Sequence, residues 1–206
     1  ALPISSEKVQ KGRFGACLMA DPAQVARCVE AMVAASPLAV TVKHRIGIDD
    51  RDSYPELLQF VDTVAAAGAQ RFAVHARKAW LEGLDAKQNR TIPPLRYDLV
   101  HQLKRDRPQL TIELNGGLHS LDDCTTHLGA VDGTMVGRAA YDHPLRWAAV
   151  DAELFGDTRH GQPKASTVVR GLLPYAERWL SRGDRLWPIR SEEHTSELQS
   201  PCNLVC

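Results

Sequence analysis

The sequence predicts an α/β fold with a parallel sheet, organised as half of a (β/α)8 TIM barrel followed by the start of a small helical domain. Two observations carry this reading. Apolar, β-branched segments alternate with amphipathic helical ones, the order produced by successive βα units. Four of the apolar segments also close in polar or glycine runs, Val42–Gly47, Val74–Arg77, Leu114–Gly117 and Val136–Ala140. In parallel barrels, chemistry and phosphate binding gather where strands hand over to loops, so these runs mark one end of the sheet as a candidate site.

Taken in order, Asp21 and Pro22 supply an N-cap and a helix-compatible proline for an alanine-rich segment reaching about Ser36. Leu38 to Arg45 is the first strand, mostly apolar as expected for a strand covered on both faces. Ser53 and Glu56 form a capping box for a helix that runs to Gly68, a C-cap. Arg71 to His75 is the second strand. The stretch from Ala76 to Pro94 exceeds the usual loop length and is therefore functional or disordered. Arg96–Arg105 is helical, Leu110–Leu114 a strand, Ser120–Leu128 helical and Val131–Val136 the fourth strand. Beyond Pro144 come a short helix to about Val150, a polar linker over Gly156–Pro163 and a helix from about Lys164 to Arg182 carrying Trp179. The expected division is a partial barrel over 6–150, a linker over 151–163 and a helical segment over 164–189.

A chain of 206 residues fits one domain, or one domain with an appendage. Its 44% hydrophobic and 24% charged content is ordinary for a globular protein. No run approaches the roughly 18 apolar residues of a membrane span, and a cytoplasmic location is expected. The formal charge is zero, so a nucleic-acid partner would have to be held by a local basic surface. Cysteines at 17, 28, 124, 202 and 206 show neither metal-ligand spacing nor a paired framework, and no metal site is expected. Both termini read as foreign: Ala1–Ser5 and Arg190–Ser200 back-translate codon by codon to the two ends of one sequencing-adapter system. Residues 1–5 and 190–206 are thus expected to be adapter-derived.

Lys8–Met19, Val42–Asp50, His75–Trp80 and Ile92–Tyr97 form an ordered set of specific stretches. Through them the chain, from Ser6 to about Trp187, resembles the tRNA-dihydrouridine synthases of the A-type bacterial subfamily. The resemblance implies a flavin-bearing barrel followed by a small helical RNA-binding domain, this chain holding the C-terminal half of the barrel and the beginning of that domain. It implies FMN as cofactor, NADPH as reductant and tRNA as partner. In that chemistry the reduced flavin gives hydride to carbon 6 of a D-loop uridine while a cysteine protonates carbon 5, after the base has left its stack. The family's Asn-x-Gly-Cys-Pro-Ser motif directly precedes the stretch that begins here at Glu7. Aligning Ser6 with its serine puts Ile4 at the cysteine's position, so no catalytic residue is assigned and the chain itself is expected to be inactive. Cys17 is no substitute, because it belongs to the Arg13–Met19 run that the family carries in addition.

Lys43, at a strand end, can set its ammonium beside the pyrimidine edge of a flavin, although a surface lysine would snorkel from the same place. His75 is a flavin contact by resemblance; the plain alternative is a structural hydrogen-bonder. Asn115, Gly116 and Gly117, with Gly137 and Arg138, suit a phosphate: glycine admits close backbone approach, helix N-termini favour anions, and arginine offers a planar fork. They also read as two ordinary βα turns. In the long stretch, with Arg77, Lys78 and Trp80, the resemblance carries Lys87 and Arg90 over as tRNA contacts, where a solvated loop is the bland reading. Two other functions stay open, a phosphate-binding isomerase or aldolase barrel without flavin, and a non-catalytic RNA-binding fragment with salt-sensitive tRNA retention. Half a barrel would also expose strand edges at Leu38–Arg45 and Val131–Val136, favouring self-association.

Overall fold

Four short strands, β1 (Thr41–Arg45), β2 (Arg71–His75), β3 (Thr111–Asn115) and β4 (Gly133–Met135), form one parallel sheet in chain order. The computed structural model describes residues 15–159, 161 and 163–185, so the expectations for Ile4 and for the adapter-derived ends lie outside the described residues. Helices α1 (Pro22–Ala35), α2 (Tyr54–Ala66), α3 (Tyr97–Asp106) and α4 (Leu121–Leu128) alternate with the strands. Parallel neighbours need such crossovers.

The helix ends follow their local signals. The Asp21 carboxylate accepts the Gln24 N–H at 3.0 Å, with Pro22 opening α1. Glu56 accepts the Ser53 N–H at 3.2 Å and its hydroxyl at 2.7 Å, closing the expected capping box of α2. Gly68, at φ +111°, ends that helix, and a Cβ there would lie 3.2 Å from Val33 of α1. Arg107 clamps Asp62 of α2 at 2.6 and 2.5 Å, and Lys104 pairs with Asp132 at 2.7 Å. Asp132 also accepts the Ile112 N–H at 2.8 Å, so one carboxylate ties α3, β3 and the approach to β4 together.

Strand alternation gives the sheet two unlike faces. Val42, His44, Phe72, Val74, Ile112 and Leu114 are all 2% exposed or less. The His44 ring lies 5.0 Å from that of Phe60 on α2 and 5.9 Å from that of Phe72. Leu57, Val61, Val64, Val100 and Leu103 complete this buried side. The opposite face carries Lys43, Arg45, His75, Glu113 and Asn115, in rows fixed by the register Lys43–Ala73–Glu113–Gly133 and Arg45–His75–Asn115–Met135. The first strand is therefore not apolar on both sides as its composition suggested, since the period of two sends Thr41, Lys43 and Arg45 together to the second face. It is also shorter, and Leu38, 77% exposed, lies outside it. β3 runs one residue further than expected, to Asn115, and β4 retains only Gly133–Met135.

The described residues divide into two units, 15–118 with 122–136, and 119–121 with 137–185. The second unit holds α5 (Arg138–Asp142), a 3-10 turn at Pro144–Trp147, α6 (Val150–Phe155) and α7 (Ala165–Ser181). The short helix expected up to Val150 thus gives way to that turn, opened by Pro144, which has no N–H to continue a helical ladder. The expected linker begins as helix, through Phe155, and Gly156 closes α6 at φ +65°. Along α7, Val168, Val169, Leu172, Leu173 and Leu180 are exposed.

Phe60→Ala, which empties the space against His44, is expected to destabilise the fold by about 3–5 kcal/mol in urea denaturation.

Candidate functional site

The polar face of the sheet gathers positive charge at its C-terminal end. Lys43 is half-buried, and its amine is pulled down to about 8, first by burial and then by the charges of Arg45 and Arg90. Arg45, only 6% exposed, is drawn down to about 10 by burial and by Arg90 and Arg77. It remains protonated at neutral pH. Its Nη1 donates to the carbonyls of Lys78 at 2.9 Å and Asn89 at 2.8 Å, with no ion pair to a carboxylate among the described residues.

Those two carbonyls belong to the 76–94 stretch, which is built around Asn89. The Asn89 carboxamide is fully buried; it accepts the Trp80 N–H at 2.8 Å and donates to the Trp80 and Leu84 carbonyls at 2.8 and 3.2 Å. Lys78 reaches the Asp49 carbonyl at 2.9 Å and the Asp52 carboxylate at 3.1 Å, while its ammonium sits 4.3 Å from the centre of the Trp80 ring. Arg77 donates to the Pro93 carbonyl and holds the far end of the stretch. Lys78 and Trp80 are thus spent on structure. Lys87 is exposed, and Arg90 is half-buried with its field on Lys43 and Arg45.

After β3 the chain turns through Gly116 and Gly117, at φ +108° and +71°. A Cβ on Gly116 would stand 2.5 Å from the His75 ring; one on Gly117 would stand 2.6 Å from both Leu95 and the Tyr97 hydroxyl. Both glycines are therefore required first by the protein's own side chains, and the His75 ring rests against the turn. The Asn115 carboxamide donates to the Met135 carbonyl at 2.6 Å, tying β3 to β4. Lys43, His75, Asn115, Gly116, Gly117 and Arg90 thus share one unit and one end of its sheet. Gly137 and Arg138 belong to the other unit, where they open α5; both are exposed, and the space around Gly137 is open.

Sequence reasoning missed Arg45, Asn89 and His44. A charged residue closing an apolar strand was a usable signal for Arg45, whereas nothing around Asn89 announced its burial. His44 supports the site from the helix side. Its Nδ1 lies 2.7 Å from the Arg45 carbonyl, and its Nε2 is enclosed with no partner among the described residues. Burial, aided by the charge of Lys43 and opposed by that hydrogen bond, takes it down to about 4, so the ring is neutral and donates from Nδ1.

The chain matches the dihydrouridine synthase (Dus) family over residues 5–201. It is 56% identical over 181 residues to a tRNA-dihydrouridine(20/20a) synthase of Synechocystis sp., a match spanning 88% of this chain and 54% of that protein. The protein of that name from Shewanella oneidensis is 54% identical over 181 residues, 88% of this chain and 54% of its own. That of Escherichia coli K12 is 53% identical over 186 residues, 89% and 53% respectively. The chain spans about half the length of the curated relatives it matches.

Two outcomes follow from the geometry. Asn89→Leu leaves part-buried backbone groups of Trp80 and Leu84 without their carboxamide partner and is expected to cost about 1–3 kcal/mol, with faster amide exchange at Trp80. Because folding lowers the Lys43 amine from its ordinary 10.5 to about 8, the unfolded chain binds more protons between those values, and stability gains as pH rises through that window. Lys43→Met is therefore expected to raise the urea midpoint at pH 7 and to raise it less at pH 10.

Proposed function

The chain belongs to the dihydrouridine synthase family, and from that premise we propose that it is the C-terminal half of the (β/α)8 barrel of an enzyme that reduces D-loop uridines of tRNA to 5,6-dihydrouridine. The cofactor is FMN, and NADPH is the reductant. The observation that carries this reading is the concentration of Lys43, Arg45 and Arg90 beside His75 and the Gly116–Gly117 turn. Lys43 and Arg45 are each lowered by burial and by neighbouring cations, so an anion seated among them relieves both repulsions. A planar, phosphate-bearing group fits that donor set. When bound, flavin supplies the reducing equivalents for the uracil 5,6 double bond.

The chain's own residues hold and orient. Lys43 keeps its proton at neutral pH and presents a cation from the polar face of β1. His75 is fixed in place by the turn it packs against. Asn115, Gly116 and Gly117 offer backbone to the phosphate. Lys87 and Arg90 meet tRNA from the anchored loop. With Ile4 at the position to which the resemblance assigns the family's cysteine, inactivity of this chain in uridine reduction is the expected outcome. The enzyme works in the cytoplasm with its tRNA; among the described residues no helix is long and apolar enough to cross a membrane.

Titration of the purified chain with FMN, followed by flavin fluorescence, is expected to give saturable binding that Lys43→Ala weakens. Phosphate binding without flavin binding would instead favour an isomerase or aldolase barrel. In filter binding to tRNA, Lys87→Ala with Arg90→Ala is expected to reduce the slope of log affinity against log salt by about 1–2.

A further inference from the structure

The turn after β3 is held by a side chain at the end of the Ile92–Tyr97 stretch. We propose that Tyr97 is the positioning residue of the Asn115–Gly116–Gly117 turn, fixing the backbone that receives the cofactor's phosphate, with His127 backing the tyrosine ring. The inference rests on the reading of that turn as a phosphate cradle.

Tyr97 is the first residue of α3, and its hydroxyl donates to the Gly116 carbonyl oxygen at 2.8 Å. The same hydroxyl occupies the space that Gly117 leaves, where a Cβ would come within 2.6 Å of it. Two consecutive glycines at positive φ form a joint in which peptide planes rotate at little cost. The Gly116 carbonyl and the Gly117 N–H belong to one trans peptide plane and point in opposite directions. Drawing the carbonyl towards α3 therefore presents the Gly117 N–H on the far side, as a donor. Released, the plane can turn its oxygen to the ligand and repel a phosphate.

The tyrosine is itself held. Its ring lies 4.5 Å from that of His127 on α4, and His127 Nδ1 is 3.2 Å from His101 Nε2 on α3. Burial raises the phenol above its ordinary value, with Asp123 acting in the same direction and Arg77 against it, so the hydroxyl stays a donor through the neutral range.

The test compares FMN with riboflavin, which lacks only the phosphate, on the chain and on Tyr97→Phe, which removes only the hydroxyl. The variant is expected to lose about tenfold in FMN affinity, the worth of one hydrogen bond, with riboflavin affinity unchanged. Amide exchange at Gly117 is expected to quicken while the urea midpoint falls by no more than the loss of one hydrogen bond. His127→Ala is expected to shift FMN affinity in the same direction by less. Equal losses for both ligands, or unchanged FMN affinity, would overturn the role of Tyr97. If the unaltered chain does not prefer FMN to riboflavin, the phosphate cradle itself fails and the inference falls with it. If both chain and variant prefer FMN equally, only the tyrosine's role fails.

Discussion

Arg45 brings a full positive charge to the end of β1 with 6% of its surface exposed, and its partners are two backbone carbonyls. Burying an ion is costly unless its hydrogen bonds are made, and here they can be made only if the chain after β2 folds back over the guanidinium. The loop in turn needs its own polar groups satisfied, which Asn89 does by bonding Trp80 from both sides. Arginine and loop therefore depend on each other, and Arg90 reaches the neighbourhood of Lys43 because this pair of constraints is met. The polar end of the sheet is assembled around one cation that never touches a carboxylate among the described residues.

The two faces of the sheet divide the labour. On the helix side, Phe60 and Phe72 enclose a histidine whose burial keeps it neutral, and its Nδ1 bond to the Arg45 carbonyl joins the core to the residue that organises the other side. On the polar side, side chains stand in register, so Arg45, His75 and Asn115 form one row at the strand ends. Packing on one face sets the positions of charges on the other, because neighbouring residues of a strand cannot move independently.

What the sequence made legible was local. The capping box of α2 involves residues three apart, and β2 stands between a helix-ending glycine and a polar run; both were readable from their own neighbourhoods. Polar residues closing apolar runs marked Lys43, His75 and Asn115. Hidden were the relations that need the fold first. Arg45 and Asn89 are 44 positions apart, and nothing near either shows that one will cap the other. The glycines at 116 and 117 suggested room for a ligand, while the space beside them belongs to His75, Leu95 and Tyr97. Composition suggested a strand buried on both sides, because Leu38, Val40 and Val42 outweigh the alternation that sets Lys43 and Arg45 apart.

The 76–94 loop hangs from main-chain carbonyls, the Asn89 carboxamide and the side chains of Arg77 and Lys78, so the exposed Lys87 side chain carries little of its shape. Lys87 joins the turn through its carbonyl, which accepts the Arg90 N–H at 3.1 Å and the Thr91 hydroxyl at 3.2 Å. The frame and the lettering on it are separable. A library randomised at such positions would sample many outward surfaces on one unchanged backbone.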